Sequence, residues 1–307
     1  VTATTTWREL LHALLSRGDE VSPVSSGADW KGRTTKELLG YQSRWDMSRP
    51  VIACPRRKLG YRFMTAEAAW VLGGDNRLST IKPYSKAIHR FSDDGRTFNG
   101  AYGPPFVEQA AWIVQTLAKD RGSRQAVATI WRPRPGLTND TPCTVALQWM
   151  IRKDLVQTGL RGDDGGTMLI DKLHCIATMR SSDAWTGIPY DVFTFSMMSA
   201  YIAIALRQYQ EYRWKRSADQ PQKPAPVLPL SLGVLHLTSG SQHLYKADWT
   251  DAVQCRDDVV DLHHIEAIPL DSFPTTDDLI SHLWDVARNT GHLSPHAWLG
   301  KLTGADK

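Results

Sequence analysis

The chain of 307 residues has no run of eighteen apolar residues, so no membrane-spanning helix is expected. It has only four cysteines, Cys54, Cys143, Cys175 and Cys255, widely spaced and without a CxxC pair. That spacing argues against a disulfide framework or a zinc site and points to a reducing, cytoplasmic setting. Val1 to Arg17 lacks a basic start followed by an apolar core and a small-residue cleavage site, so no secretion signal is expected. There is no internal repeat and no low-complexity tract. The net charge of +4 is too small and too dispersed to point to nucleic-acid binding, though it suits a small substrate bearing phosphate.

What is present is a globular composition. The chain is 42% hydrophobic, enough to bury a substantial core. Its 12 tryptophans are expected in the core and at subunit contacts. Leu10 to Leu15 lies in a short amphipathic helix, and Gly18 to Gly32 reads as a polar loop. Thr65 to Leu72 reads as a helix with Thr65 at its N-cap, ended by Gly73-Gly74-Asp75-Asn76. In the helix expected over Val107 to Arg121, Ala110, Ala111, Val114, Leu117 and Ala118 share one face. Ala126 to Trp131 is strand-like. So is Cys143 to Ile151, with Cys143, Val145, Leu147, Trp149 and Ile151 pointing one way. Arg152 to Thr167 reads as an inserted hairpin or loop, and Met168 to Thr178 as the next strand. Phe193 to Trp214 is a long helix too apolar for the surface. A proline-rich connector over Asp219 to Pro229 leads to a buried strand, Leu232 to Thr238. A final helix runs from Asp277 to Arg288, capped by Thr275 or Thr276. Strands mixed with one central helix predict a single α+β domain over 1–307.

The chemistry concentrates in two places. Pro142-Cys143 opens a strand, and Arg180-Ser181 closes a later one. Cysteine offers a nucleophile, and arginine with serine offers the donors a phosphate needs. Either pair alone is common. The fuller order is more specific: a helical Glu67, Pro-Cys, then Arg-Ser-x-Asp-x-x-x-Gly-x-Pro-Tyr-Asp ending at Asp191, then His236-Leu-Thr-Ser.

This order resembles the thymidylate synthase family, including its nucleotide hydroxymethylase branch, over about Arg33 to Thr238. Glu67-Ala-Ala-Trp70-Val-Leu-Gly-Gly-Asp75, Tyr102-Gly103, Ser123-Arg124, Pro142-Cys143, Gln148 and Arg180 to Asp191 carry it. The resemblance implies a mixed sheet around a long central helix, with dimers formed through the sheet. It also implies 5,10-methylenetetrahydrofolate as one-carbon donor, with no metal. Cys143 would add to C6 of a pyrimidine, turning C5 into a nucleophile. Arg180 would favour the thiolate. Glu67 would act as the carboxylate that moves protons through water; its plain alternative is a solvated helix glutamate. Arg33, Arg180, Ser181 and Arg124 would hold phosphate, with Arg124 reaching into the partner subunit of a homodimer. The second arginine usual after it is Gln125 here. Asp183 would face the folate ring, and Gly187 would pack beside the pyrimidine. His236 matches the histidine near the sugar 3′-hydroxyl, with Thr238 where the family carries tyrosine.

Asp191 is the main departure. Thymidylate synthases carry Asn there, whose amide matches uracil. A carboxylate accepts from the cytosine N4 amine and, with a proton shared at N3, completes a second bond. The deoxycytidylate hydroxymethylases carry Asp at this position. A helix-capping aspartate is the structural alternative. Tryptophans that line the family's reaction site are replaced by Ile88 and Phe91, and the Ser294 to Gly300 segment keeps only a vague likeness to the family's closing tail. A looser closure admits water, so hydroxymethylation of CMP or dCMP is the expected reaction. A uracil-directed enzyme, a methylase and a catalytically inactive nucleotide-binding homologue remain as alternatives.

Overall fold

The computed structural model describes residues 2–22, 34–54, 56–133, 136, 138–157, 167–217, 229–257 and 267–288. Arg33, the segment 294–300, nearly all of the connector 219–229 and the middle of the expected insertion, 158–166, lie outside them.

The chain begins with helix α1, Ala3–Arg17, whose cap is the Thr2 side chain accepting from Thr5 N. Trp7, Leu10, Leu11 and Leu14 lie fully buried along one side of it, the spacing of an amphipathic helix. Strands β1 (Asp19–Val21) and β2 (Thr35–Asp46) follow, so part of the expected 18–32 loop is paired strand. Helix α2 spans Tyr61–Leu72, starting a turn before the sequence reading placed it. Thr65 is not its cap: its hydroxyl bonds back to Tyr61 O, as an interior threonine does. Helix α3 (Gly103–Lys119) starts with Pro104 and Pro105 in its first turn, which supplies φ without needing an N–H. Ala110, Val114 and Leu117 face the core as expected, but Ala111 is exposed.

Strands β3 (Val127–Thr129), β4 (Thr144–Gln157) and β5 (Thr167–Asp183) precede the long helix α4 (Ile188–Lys215). Strand β6 (Leu230–Tyr245), helix α5 (Trp249–Asp257) and helix α6 (Thr276–Arg288) complete the described chain. Thr275 caps α6: its hydroxyl accepts from Asp278 N, and the Asp278 carboxylate accepts from Thr275 N. The stretch 152–167 is no separate insertion at its ends, because β4 and β5 pair across it to Gln157↔Thr167.

One six-stranded sheet runs β1-β2-β6-β5-β4-β3. All neighbours are antiparallel except β5 and β6, which are parallel. A parallel pair needs a crossover, and α4 provides it. From Ile188 to Leu206, fifteen of its residues are buried. Burial explains a helix that is apolar enough by composition to cross a membrane. Trp45, Trp149, Phe106, Phe193 and Phe195 fill the layer between helices and sheet. The fold is therefore a mixed α+β single domain.

The sheet is broken along one line. In β5 the core-facing residues are Leu173, Cys175, Ala177 and Met179, then Ser182, with Ala184 just past its end. In β6 they are Leu235, Leu237 and Ser239, then Gln242 and Leu244. In β4 a bulge lies between Thr144 and Ala146, so buried Thr144 is out of phase with Leu147 and Trp149. In β2, Gly40 takes φ +62° at the same row. The alternation expected from Cys143 to Ile151 thus holds only beyond the bulge. Strand phase reverses where Cys143, Arg180 and Gly240 meet.

The four cysteines are free thiols. Cys54 and Cys255, distant in sequence, bring their sulfurs to 3.3 Å in the core.

Candidate active site

Cys143 sits just ahead of β4, on the line where phase reverses. Arg180 N donates to its carbonyl at 2.8 Å. The Arg180 guanidinium then clasps the strand's approach: Nε donates to Pro142 O and Nη2 to Thr141 O, both at 3.0 Å. Nη2 also lies 3.8 Å from Cys143 Sγ, and the guanidinium stands 5.9 Å from the Trp131 ring. Cys54, Cys175 and Cys255 are buried, so Cys143 is the one cysteine partly open. Its thiol is nevertheless held above the ordinary range. Burial raises it most, Arg180 opposes this, and the charges of Asp191, Asp140 and Asp183 raise it further. The expected thiolate assistance from Arg180 is present but outweighed in the free protein.

The turn between β5 and α4 brings in the carboxylates. Asp183 accepts from Trp185 N at 2.8 Å and from the Thr186 hydroxyl, which folds the turn. Trp7 of α1 fixes it from outside, donating to Ala184 O at 2.7 Å and lying against the Trp185 ring at 5.6 Å. Arg57 also stands over the Trp185 ring at 4.7 Å and donates to its carbonyl. Gly187 is the N-cap of α4, and a Cβ there would stand 2.9 Å from Asp183 O and 3.2 Å from Asp191 Oδ2. Asp191 lies inside the first turn, with its N–H bonded to Gly187 O, and α4 has no side-chain cap. The capping alternative for Asp191 therefore fails. A helix N-terminus favours a carboxylate, yet burial and Asp183 push the Asp191 carboxyl up to about 7.

Asp191 and Gly187 line a cleft of about 660 Å³ with Glu67 of α2. That volume lies within the range of small-molecule sites. Burial, with the Asp191 charge second, pushes Glu67 up to about 8. Trp70, Phe91, Phe98 and Tyr102 supply flat apolar walls, and Ile88 lies beside Phe91. Tyr102 is held well above its ordinary range by burial and the nearby Asp191 and Cys143. The cleft thus joins two carboxyls that exchange protons near neutral pH and surfaces on which planar rings stack. Cys143 and Arg180 do not line it, but the thiol is close enough to interact electrostatically with the cleft residues Tyr102, Asp140 and Asp191.

Other sequence-predicted residues are less central. Ser181 pairs in register with Ser241 of β6, one position past Arg180. Arg124 is exposed beside β3, and its carbonyl takes the Gln148 side chain at 2.7 Å, which gives Gln148 a structural task. His236 is not brought to the cleft. It pairs with Ile176, four residues or about 13 Å along β5 from Arg180. Its ring lies 6.2 Å from His174, and burial and Arg44 lower its affinity for a proton. Thr238 pairs with Thr178 and Gln42 on the same stretch.

Three features escaped the sequence reading. His243-Leu244-Tyr245 carries a His-x-Tyr spacing seven residues after His236, where the first histidine has Thr238 instead, and the structure pairs His243 with Asp183 and Tyr245 with Thr35, two residues after Arg33. The spacing was a usable signal, but the preceding His-Leu-Thr masked it. Arg57 lines the cleft from a loop without motif, and Asp140 lines it three residues before Cys143.

The thymidylate synthase family model matches residues 5–212, the portion from α1 through most of α4. That span holds Glu67, Cys143, Arg180, Asp183 and Asp191 and ends before β6. The chain belongs to the thymidylate synthase family, whose members transfer a one-carbon unit from methylenetetrahydrofolate to C5 of a pyrimidine nucleotide.

Proposed function

We propose that this protein is a cytoplasmic cytidylate 5-hydroxymethyltransferase, acting on CMP or dCMP. The observation that carries the reading is Asp191: a cleft-lining carboxyl near neutral pH in place of the family's amide. With its proton, it donates to cytosine N3 and accepts from the N4 amine; without it, it still accepts from N4. Facing uracil, the charged form meets the O4 lone pairs. A mismatch of that kind in a buried site costs about 1–3 kcal/mol.

Cys143 adds as thiolate to C6 of the ring. Because Asp191, Asp140 and Asp183 hold the thiol up, a proton at Asp191 shared with the base lowers that barrier. Methylenetetrahydrofolate supplies the one-carbon unit when bound. The cleft fits a flat partner: Phe91, Phe98 and Trp70 offer stacking faces beside the carboxyl groups. Glu67, poised near pH 8, takes and returns protons through water as C5 is substituted and deprotonated. Arg180 and Ser181 grip phosphate, with Arg33 from the chain leading into β2. Asp183 keeps the turn before α4 folded. We assign the sugar to His243 and Tyr245 rather than to His236 and Thr238, because the first pair lies beside Asp183 and the start of β2. Arg124 is proposed to serve the partner subunit of a homodimer.

Ile88 and Phe91 leave the wall smaller than tryptophans would, which favours water over hydride at the exocyclic methylene. The test is mass analysis of products from CMP, dCMP and dUMP with methylenetetrahydrofolate. A 5-hydroxymethylcytosine nucleotide is expected, and a 5-methyl product with dihydrofolate overturns the reading. Asp191→Asn is expected to shift preference toward uracil by about 10- to 100-fold; an unchanged preference removes Asp191 from base selection.

A further inference from the structure

We propose that Asp140 is the base that activates the water which captures the exocyclic methylene, an inference resting on the hydroxymethyltransferase reading above. Asp140 lines the cleft on the segment that leads into the nucleophile. The Arg180 guanidinium fixes Thr141 and Pro142, the residues between Asp140 and Cys143. The upstream side is fixed as well. The Asp93 carboxylate accepts from Asn139 N at 2.9 Å and from the Thr138 hydroxyl, and that hydroxyl accepts from Asp140 N at 3.0 Å. Gly100 N donates to Asp140 Oδ2 at 2.7 Å. A Cβ on Gly100 would stand 2.4 Å from the Asp140 carbonyl and 2.9 Å from Oδ1, so glycine is what lets this carboxylate seat. Among the hydrogen bonds between described residues, Oδ1 takes none, which leaves it for water.

The charge is felt where the chemistry occurs, since Asp140 is among the groups that raise Cys143. Burial, opposed by the Gly100 N–H and aided by the Asp93 charge, lifts its own carboxyl above the usual carboxylate range, toward the basicity a proton acceptor needs. The other charged or titratable groups lining the cleft are Arg57, Glu67, Arg90, Tyr102, Tyr190 and Asp191. Glu67 and Asp191 are occupied with the C5 proton and the base, so Asp140 is the carboxylate left for the last step.

The step balances without an oxidant. Asp140 takes a proton from water as its oxygen bonds to the exocyclic carbon. The carbon–carbon π pair moves into the ring. It then re-forms C5=C6 as the C6–S bond breaks, and Cys143 leaves as thiolate. The proton on Asp140 returns to the thiolate or to solvent.

Asp140→Asn keeps an acceptor for Gly100 N–H, so the segment stays seated. In single turnover with C5-tritiated dCMP and CMP, the variant is expected to release tritium within twofold of the wild-type rate. Formation of hydroxymethyl product should fall about 100-fold. A nucleotide adduct on Cys143 should then accumulate in intact-protein mass spectra, and Asp140→Glu, which restores a carboxylate, should regain part of the rate. Glu67→Gln should stop the reaction earlier, before tritium is released. Product formation at the wild-type rate in Asp140→Asn, or equal loss in the Asn and Glu variants, overturns the assignment. If the wild-type protein itself makes no hydroxymethyl product, the parent reading falls and this one with it; if only the variants contradict, the parent reading stands.

Discussion

Glu67 and Asp191 keep protons that ordinary carboxyls have lost by pH 7, because burial next to like charge disfavours ionisation. The unfolded chain has released those protons by about pH 5. Between the ordinary values and the raised ones, near 7 for Asp191 and 8 for Glu67, the folded protein holds more protons than the unfolded one. Stability must therefore fall as pH rises through that window. Glu67→Gln is expected to raise unfolding free energy at pH 8 by about 2–4 kcal/mol and to change it little at pH 4. Urea unfolding at both pH values checks this, and an equal effect at each shows that Glu67 carries no raised proton affinity. At this scale the sequence was generous: Cys143 stands out after Pro142, and Arg180, Asp183 and Asp191 lie in one contiguous motif. It hid the balance of charge, since burial and the fold set how strongly Asp140, Asp183 and Asp191 oppose the Cys143 thiolate.

The element that decides the geometry is the row where strand phase reverses. At the break β5 parts from β4, whose pairing ends at Thr144↔Met179, while it stays paired with β6 to Asp183, and Arg180 reaches the Cys143 approach. Gly240 sits on that row, and a Cβ there would lie 2.8 Å from Arg180 O. Gly240→Ala is expected to cost about 1–3 kcal/mol of stability and to raise KM for the nucleotide more than it lowers kcat. Urea unfolding and steady-state kinetics measure both, and unaltered kinetics would detach the break from the site. Helices α1, α3, α4 and α6 were legible from apolar spacing, as was the existence of β4, β5 and β6. The break was not, because period-two patterning carries no marker for a one-residue phase change shared by neighbouring strands. The same limit bears on the proposed sugar histidine: His236 and His243 lie on either side of the break, and of the two only His243 pairs with Asp183.

At the scale of the molecule, the sheet packs α4 on one face, while Met150, Ile176, Val234 and His236 on the other remain half-buried in the single subunit. Arg124 is exposed beside β3. We expect this face to pair two subunits and Arg124 to complete the neighbouring site. Mixing Cys143→Ala with Arg124→Ala, each inactive alone, should restore turnover, because one site of the mixed dimer then has both native side chains. Confirmed subunit exchange without recovery would assign Arg124 elsewhere. The sequence named the partner only through family likeness, since the exposed sheet face alternates polar with apolar residues and reads like an ordinary solvated one. The shared break in β2, β4, β5 and β6 has a consequence for how such a chain can change length over time. At the far end of β4 and β5, residues can be added or lost without disturbing another strand. At the broken row, inserting or deleting one residue in any strand would demand matching changes in its neighbours, so variation in length should gather past the Gln157↔Thr167 end of β4 and β5 and be nearly absent beside Cys143.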